Sequence, residues 1–423
     1  MGNILTDAVN AFYLIKGQHI ETANACAHSL IGAVTNNKII LATPLGDLTA
    51  DGMFVIVGKS GTIKSIPMKR VYNMARRLNF EIPSIMTVAA LRDYFALKNK
   101  DHKYVHSNNG LMYWDEMSAR FTDAQKLDYM TGTIEAISCI YDHRLDTTYL
   151  KSEHRVARPR DPYVAMLGAM VPSALPNIPP FFWSQGIAGR INWTYVPEEK
   201  KEPVNWKDFR NRKKADSELS IFEINLKTLK HLCEHLKKPI ITTVDADAND
   251  AIMEFQQQMD DEWLSRAKGN MFSWDEAYLS RLAEMAGKSA LRHALGRYFS
   301  ENSNLKNFEF VNGEDMKYGI NQTKKSRLDL EYMYINIKEE GVKQFDPKSR
   351  IIRAIVNAKN QMLHLSQWKL DSSTSDPGTF IKYVNELVRD GKVKRVDKST
   401  ITDENEKNRL RTNTVAKIYT WVK

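Results

Sequence analysis

The segment MFVIVGKSGTIKS, residues 53 to 65, restricts the fold more than any other part of the sequence. An apolar run leads directly into a turn that contains Gly58 and Gly61, and Lys64 and Ser65 then open a basic stretch with helical spacing. Glycines allow backbone amides to close around an anion, and the N-terminus of a helix attracts negative charge. The segment therefore predicts a strand, a phosphate-binding loop and a helix in succession.

The predicted loop consists of Gly58, Lys59, Ser60, Gly61, Thr62, Ile63, Lys64 and Ser65. We expect Lys64 to contact the phosphates and the Ser65 hydroxyl to bind Mg²⁺. Ile63 stands where the usual pattern GxxxxGK[ST] has its second glycine. A glycine turn followed by an unrelated lysine is the alternative interpretation.

A second motif, GLMYWDEMSARF, follows downstream. Its apolar strand delivers Asp115 and Glu116 at the carboxyl end, where one carboxylate can hold Mg²⁺ and the other can orient and deprotonate water. We expect Asp115 in the first role and Glu116 in the second. ATP and Mg²⁺ are then the expected ligands, although two surface acids at the end of a strand are a common alternative.

Two arginines are further candidates for the nucleotide site. Arg190 lies in a glycine-containing turn before a strand, from which a guanidinium in the same or a neighbouring subunit could stabilise a transferring phosphoryl group. Arg281 lies in the helical stretch YLSRLAEMAG and could sense nucleotide from a lid. The alternatives are a surface arginine at 190 and a helical ion pair of Arg281 with Glu284.

A basic segment, YDHRLDTTYLKSEHRVARPRDP, lies between the acidic pair and the next strand. It predicts a hairpin that could grip a DNA strand by its phosphates, or equally a solvated loop. The candidate DNA-binding residues here are Lys151, His154, Arg155 and Arg158.

Hydrophobic patterning predicts an α/β fold with a mostly parallel sheet. Residues 22–35 and 64–78 have helical spacing, and the strand candidates are residues 38–43, 52–57, 110–114, 164–170 and 191–196. The charged stretch after Val196 is interpreted as a basic linker, and residues 221–300 as helical. We predict an N-terminal helical segment at 1–45, a P-loop ATPase core at 46–205, a helical lid domain at 206–340 and a further domain at 341–423.

That last domain carries most of the chain's charge. Residues 341–423 contain 17 Lys and Arg against nine Asp and Glu, a balance of +8 within a total of +9. We predict helices at 347–360, 365–370 and about 377–390, followed by a two-stranded ribbon. This order indicates a winged helix-turn-helix, which binds DNA or in other cases protein. The candidate DNA-binding residues are Lys382, Lys392, Lys394, Arg395 and Lys398.

Composition excludes several classes of protein. The three cysteines, Cys26, Cys139 and Cys233, show no CxxC spacing, which argues against a disulfide framework or a zinc cluster. The sequence has no stretch of the roughly 20 apolar residues that a membrane helix needs. The N-terminal residues lack the features of a signal peptide. We therefore expect a soluble, cytoplasmic protein without a membrane partner.

The order of these segments resembles a family of P-loop ATPases carried by plasmids, phages and integrated elements and often joined to primases. The resemblance covers residues 20 to 340 and rests on ANACAHSLIGAV, VGKSGTIKS, MYWDE, YVAMLGAMVPSAL, GIAGRINWTYV and SRLAEMAGKSALRHAL. Members commonly tolerate a residue other than glycine before the lysine, as Ile63 does here. The C-terminal part resembles the tails of MCM-like helicases.

The resemblance implies an AAA+ or RecA-like core that works as a ring-forming replication helicase. Two features depart from the family pattern. Met170 and Val171 occupy the place of a polar γ-phosphate sensor, which leaves only Ser173 nearby, and no primase-like region precedes the first strand of the site. A separate primase or polymerase would then be required.

The expected function is ATP-dependent unwinding of, or translocation on, single-stranded or forked DNA during replication of a mobile genetic element, by a homo-oligomer expected to be a hexamer. The alternative is a DNA-binding initiator or regulator that nucleotide switches without unwinding. A third class is a defence or partition ATPase whose winged helix contacts protein.

Overall fold

The chain folds into two compact units, Met1–Met333 and Tyr334–Lys423. The computed structural model describes residues 2–15, 19–59, 64–84, 87–98, 103–118, 133–145, 148–150, 155–157, 159–178, 182, 187–197, 206–268, 276–302, 304–306, 308–334, 355, 362–364, 377–396 and 418–422. The predicted division of residues 1–340 into three parts stays a prediction.

Among its described residues, the first unit combines helices with two larger sheets and one two-stranded sheet. Its helices are α1 (Ile4–Tyr13), α2 (Ile20–Thr35), α3 (Ser65–Arg77), α4 (Val88–Ala96), α5 (Thr133–Tyr141), α6 (Trp206–His235), α7 (Ala246–Lys268), α8 (Glu276–Leu279), α9 (Leu282–Glu301) and α10 (Gly313–Met333). Its strands are β1 (Ile39–Thr43), β2 (Gly46–Thr49), β3 (Met53–Gly58), β4 (Glu81–Ile82), β5 (Asn109–Trp114), β6 (Thr148–Leu150), β7 (Arg155–Ala157), β8 (Tyr163–Met170), β9 (Ile191–Val196), β10 (Ile240–Val244) and β11 (Phe310–Val311). Of the helices in these ranges, none has the length and hydropathy needed to cross a bilayer.

The core sheet has the strand order β4-β5-β8-β3-β9, and all of its pairings are parallel. β3 is buried at every position and β8 at all but its first, as expected for strands covered on both faces. Helix α2 crosses the sheet and contacts β5, β8, β3 and β9. The predicted α/β fold with a mostly parallel sheet is confirmed, and the four predicted core strands agree with β3, β5, β8 and β9 to within one residue.

A second sheet, with the order β11-β10-β1-β2, corrects the prediction that residues 221–300 are helical throughout. Strand β10 has the sequence IITTV and pairs in parallel with β1, so Ile39 lies opposite Ile240. β-branched residues favour a strand, but its partner lies far upstream and only its central residue, Thr242, is buried. The predicted N-terminal segment and the predicted lid therefore contribute strands to one sheet.

Helix α6 corrects the interpretation of the charged stretch after Val196. Residues predicted as a basic linker form its first turns from Trp206 onward. Its buried side chains recur every three or four residues and are Ala215, Leu219, Phe222, Leu226, Leu229 and Cys233. No side chain from Asn211 to Lys214 is buried, so this charged part shows no apolar period although it tolerates a helix.

Ion pairs join α6 to α3, the helix that follows the predicted phosphate loop. Arg70 pairs with Asp216, and Arg77 donates two hydrogen bonds to Glu223, from Nε at 2.7 Å and Nη2 at 2.6 Å. The partners are spaced seven residues apart on both helices, so α3 and α6 run parallel for two turns.

Strand β9 forms one edge of the core sheet, and α10 satisfies its outward backbone amides. The Trp193 N–H donates to Ser326 Oγ at 2.6 Å, and the Tyr195 N–H donates to Asp329 Oδ2 at 3.0 Å. Side-chain acceptors on a neighbouring helix thus protect an edge that could otherwise pair with another strand.

Replacing Asp329 with asparagine is expected to stabilise the fold most at alkaline pH. Burial, reinforced by Glu21 and opposed by the Tyr195 N–H and Lys325, raises the pKa of Asp329 to about 6. The folded state therefore favours the protonated carboxyl, and the free energy of unfolding falls as pH rises up to and through that value. Asparagine keeps an oxygen to accept the Tyr195 N–H. Urea denaturation should give a gain in unfolding free energy about 1 kcal/mol larger at pH 8 than at pH 5.

The matched control for this change is Asp261→Asn, because Asp261 is an exposed carboxylate on α7. It should leave the unfolding free energy unchanged at both pH values. A gain from Asp329→Asn that is equal at pH 5 and pH 8 would contradict a raised pKa at this position.

The second unit contains one described helix and one sheet. They consist of β12 (Met362–His364), α11 (Pro377–Arg389), β13 (Val393–Val396) and β14 (Ile418–Trp421), and the sheet is antiparallel with the order β12-β14-β13. Helix α11 buries Phe380, Val384 and Leu387 and ends at Arg389, and Gly391, with a φ of +70°, turns the chain out of the helix.

The predicted third helix and the two ribbon strands of this unit are confirmed. The short strand β12 is an addition that the sequence did not predict, since three residues leave no readable period. The predicted helices at 347–360 and 365–370 lie outside the described residues, apart from Ile355.

Candidate active site

The predicted phosphate loop begins at the carboxyl end of the central strand β3. Gly58 is the last residue of β3, Lys59 follows it exposed, and Lys64 immediately precedes α3. Ser60, Gly61, Thr62 and Ile63 lie outside the described residues. The strand and the helix that were predicted to flank the loop are therefore present.

The Lys64 side chain folds back over the end of β3. Its Nζ donates hydrogen bonds to the Gly58 carbonyl at 2.8 Å and to the Lys59 carbonyl at 3.2 Å, and the residue is only 8% exposed. A buried ammonium with two carbonyl acceptors is held at the mouth of the loop. It can exchange these acceptors for phosphate oxygens, which satisfy a lysine at least as well.

The N-terminus of α3 is suited to an anion. Its N-cap residue, Lys64, makes no side-chain capping hydrogen bond, its first turn contains no acidic residue, and Ser65 is exposed at its first position. The first amides of a helix lack partners within the helix, and the helix dipole adds positive potential there.

The acidic pair follows β5. Asp115 and Glu116 are both exposed directly after Trp114. Tyr113 donates its hydroxyl to Asp115 Oδ1 at 3.4 Å, while the Ser118 hydroxyl and backbone N–H, the latter at 3.3 Å, donate to Glu116 Oε1. Both carboxylates are thus held at the carboxyl edge of the sheet and remain accessible.

A glycine in β8 fixes the path of the chain after the acidic pair. Met117 is buried against Gly168, and a Cβ at position 168 would lie 2.7 Å from Met117 Sδ. Only glycine leaves room for this contact, which anchors the residue directly after Glu116 against β8.

The lysine and the carboxylates lie at the same carboxyl end of the core sheet, in a region that we call the crevice. Strand β8 alone lies between β3 and β5, which places the two strands about 10 Å apart. After β3 the chain continues to β4, at one lateral edge of the sheet, whereas after β8 it continues to β9, at the other lateral edge. The two connections diverge between β8 and β3, and α/β sheets bind ligands at such a switch point. Burial lowers the pKa of Lys64, and the Glu116 and Asp115 carboxylates oppose this shift from across the crevice.

The end of β8 inside this crevice is apolar. Met170 is fully buried, and Val171 then leads into a short 3-10 helix, Pro172–Asn177, on which Ser173 is exposed. The chain thus has no polar side chain at the end of β8, where the family resemblance calls for a γ-phosphate sensor.

Arg190 and Arg281 lie at the amino ends of the core strands, opposite the carboxyl ends that carry the predicted phosphate loop. This corrects the expectation that either arginine acts on a nucleotide at this subunit's own loop. Arg190 precedes β9, whose first residue, Ile191, is opposite Met53 at the start of β3. The length of β3, about 20 Å, separates that end from the loop. Both guanidinium groups contact Asp142, Arg190 Nη2 at 2.8 Å and Arg281 Nη2 at 3.6 Å. Arg281 also donates to Glu284 at 2.8 Å, the helical ion pair of the alternative interpretation.

Near these arginines lies a buried ion cluster that we define as Asp51, His143, Glu284 and Lys288. Asp51 is 3% exposed and lies 3.0 Å from His143 Nε2 and 3.4 Å from Lys288 Nζ, which in turn lies 3.5 Å from Glu284. Burial raises the pKa of Asp51, but Lys288 and His143 outweigh it and hold that pKa well below its usual range. Sequence reasoning missed this cluster because its members come from segments far apart in the chain.

The predicted basic hairpin is present in the backbone. Strands β6 and β7 are antiparallel, and Leu150 pairs with Arg155. Lys151, His154 and Arg158 lie outside the described residues, and Arg155 is described only as part of β7.

The basic residues of the C-terminal unit lie on its helix and its ribbon. Lys382 is exposed on α11, Lys392 follows the Gly391 turn, and Lys394 and Arg395 are exposed on β13. Lys398 lies outside the described residues. Four of the five predicted residues are thus accessible on one small unit.

No protein-family model matches the chain, and no curated protein sequence matches it significantly. The candidate site therefore stands on its own geometry.

Proposed function

We propose that the chain is a Mg²⁺-dependent ATPase that unwinds or translocates along DNA as a ring-forming replication helicase of a mobile genetic element. The observation that carries this proposal is the crevice at the switch point, where Lys64 and Ser65 face Asp115 and Glu116. The strand order supports an AAA+ or RecA-like core, because the loop and the acidic pair share one edge of a parallel sheet.

The site residues fit a magnesium nucleotide. Among the described residues no three His, Cys, Asp or Glu side chains are grouped to hold a metal ion. The two oxygen donors Ser65 and Asp115 suit Mg²⁺, which commonly takes one or two protein ligands and completes its shell with water and phosphate oxygens. When bound, Mg²⁺ neutralises charge on the phosphates.

The proposed roles follow from position. Lys64 and the first amides of α3 hold the phosphates, and Glu116 turns from Ser118 to orient and deprotonate water. Arg190 can act only on a neighbouring subunit's nucleotide, which requires a homo-oligomer; we propose a hexamer. The basic residues of the β6–β7 hairpin and of α11 and its ribbon bind DNA phosphates.

Replacing Glu116 with glutamine is expected to lower ATP hydrolysis at least 100-fold while leaving nucleotide binding intact. Glutamine keeps the shape of the side chain but cannot accept the proton from water. Steady-state hydrolysis and binding of a fluorescent ATP analogue measure the two properties. Glu135→Gln, an exposed position on α5, is the matched control and should change neither. Unchanged hydrolysis in Glu116→Gln would remove the proposed base.

Displacement of one strand from a forked duplex tests the motor function directly. We expect steady displacement by wild type with ATP and none by Lys64→Ala. Nucleotide-dependent binding without displacement would instead favour a DNA-binding initiator that is switched by nucleotide.

The apolar end of β8 is the observation that favours this second candidate, because a γ-phosphate sensor is what couples hydrolysis to movement.

A further inference from the structure

A cluster of aromatic and basic side chains lies at the amino edge of the core sheet, away from the nucleotide crevice. We define the Tyr104 surface as Lys98, Lys103, Tyr104, His106 and Arg160. Lys98 and Tyr104 form an antiparallel bridge just after α4, and the Val105 N–H donates to the Leu97 carbonyl at 3.0 Å.

Cations lie against the Tyr104 ring. Lys98 Nζ is 4.6 Å and Arg160 Cζ is 4.1 Å from the ring centroid. A second ring pair lies beside it, where His106 stacks on Tyr94 at 4.1 Å with an interplanar angle of 7°. Lys98 and Lys103 are exposed, and Tyr104 and His106 are half-buried.

Arg160 is fixed rather than free to swing. Its Nη2 donates to the His106 carbonyl, and its backbone N–H donates to the Phe95 carbonyl at 3.2 Å. Its Nε is buried and has no hydrogen-bond partner among the described residues. A guanidinium held in this way is in place for a ligand before the ligand arrives.

The Tyr104 surface adjoins the β6–β7 hairpin. Helix α4, which leads into Lys98, packs beside both strands of the hairpin, and Arg160 follows β7 by three residues. The acidic residues near it include Glu81, whose charge acts on Tyr94, and Asp93 and Asp161, which lie close to its members in the sequence. The surface therefore extends the basic hairpin across the same edge of the sheet.

We propose that the Tyr104 surface binds single-stranded DNA beside the hairpin, an inference that rests on the proposed DNA motor. Single strands are bound where cations follow the backbone and aromatic rings stack on exposed bases. Lys98 and Lys103 contact phosphates, and a base takes the place of the Lys98 ammonium on the Tyr104 ring. A duplex keeps its bases stacked inside and offers nothing to these rings.

The phosphate contacts are tested by the salt dependence of binding to a fluorescent oligo-dT. The Lys98→Gln/Lys103→Gln variant should lower the slope of log K against log salt by about 1.4, since each single-strand phosphate contact contributes about 0.7. Lys306→Gln/Lys317→Gln removes the same charge from exposed positions elsewhere in the first unit and should keep the wild-type slope. Equal slopes in all three proteins would overturn the proposal.

The stacking contact is tested at Tyr104. Tyr104→Leu should weaken binding of oligo-dT roughly tenfold, whereas Tyr104→Phe should retain it. An abasic strand of the same length should bind both variants equally. If Tyr104→Leu lost as much affinity for the abasic strand, or for a blunt duplex, as for oligo-dT, the assignment to unstacked bases would be overturned. Thermal melting of each variant establishes that it folds.

ATP hydrolysis without DNA separates this inference from the proposed function, because the Tyr104 surface lies away from the crevice. Hydrolysis that depends on Lys64, together with wild-type DNA binding by the Tyr104-surface variants, would overturn this inference alone. A wild-type chain that binds no oligo-dT at low salt would overturn both the surface and the DNA motor.

Discussion

Lys64→Ala is expected to lower ATP turnover at least 100-fold and to weaken binding of Mg-ATP. The side chain is the buried cation at the mouth of the loop, and removal of one preorganised charge-stabilising donor costs about 10²- to 10³-fold in rate. Alanine keeps the helix propensity of this position, so α3 should still form. Steady-state phosphate release and calorimetric nucleotide titration measure the two effects.

Lys69→Ala provides the matched control for this prediction. Lys69 is exposed on the same helix, one turn beyond Lys64, and should be dispensable for turnover. DNA binding should survive in both variants, because the proposed DNA contacts lie elsewhere. Wild-type turnover in Lys64→Ala would remove the site assignment.

Asp51→Ala is expected to destabilise the first unit by about 3 kcal/mol, because the buried Lys288 ammonium loses one of its two carboxylate partners and keeps only Glu284. Lys288 is 3% exposed, so water cannot take the place of the lost partner. Urea denaturation measures the loss. Glu314→Ala, which breaks the exposed pair with Lys317 on α10, is the control and should leave stability unchanged within error.

A double-mutant cycle isolates the pair itself. Asp51→Ala and Lys288→Met together should cost clearly less than the sum of the two single changes, with a coupling of about 2 kcal/mol. Strictly additive losses would show that Asp51 and Lys288 are held apart in solution and would contradict the buried ion cluster.

The core strands could be predicted from the sequence because each is buried on both faces. A strand such as β3 then appears as an unbroken apolar run with turn residues at its end, and such runs need no knowledge of their partners. Strand β10 lacks this signal, since its residues alternate in exposure and it pairs with β1 about 200 residues upstream.

The chemical types at the candidate site could also be predicted, but not their arrangement. Two local motifs identify Lys64 with Ser65 and Asp115 with Glu116. That a single strand, β8, separates the two motifs follows from the order of the sheet, which no local motif contains. Arg190 shows what local context omits. A residue that precedes a parallel strand lies at the amino edge of the sheet, away from a loop that follows one. The sequence already implied this, because Arg190 stands before β9.

The buried ion cluster had no signal in the sequence at all. Asp51 and Lys288 are 237 residues apart, and each looks like an ordinary surface charge in its own segment. Only the packing of α9 against the second sheet brings them together.

Electron cryo-microscopy of the folded chain with Mg²⁺ and a non-hydrolysable ATP analogue tests the central claim most directly. We predict the triphosphate at the N-terminus of α3, with Lys64 Nζ moved from the Gly58 carbonyl to the phosphates and Mg²⁺ between Ser65 and Asp115. An analogue bound anywhere else, or a crevice left without nucleotide at saturating concentration, would contradict it.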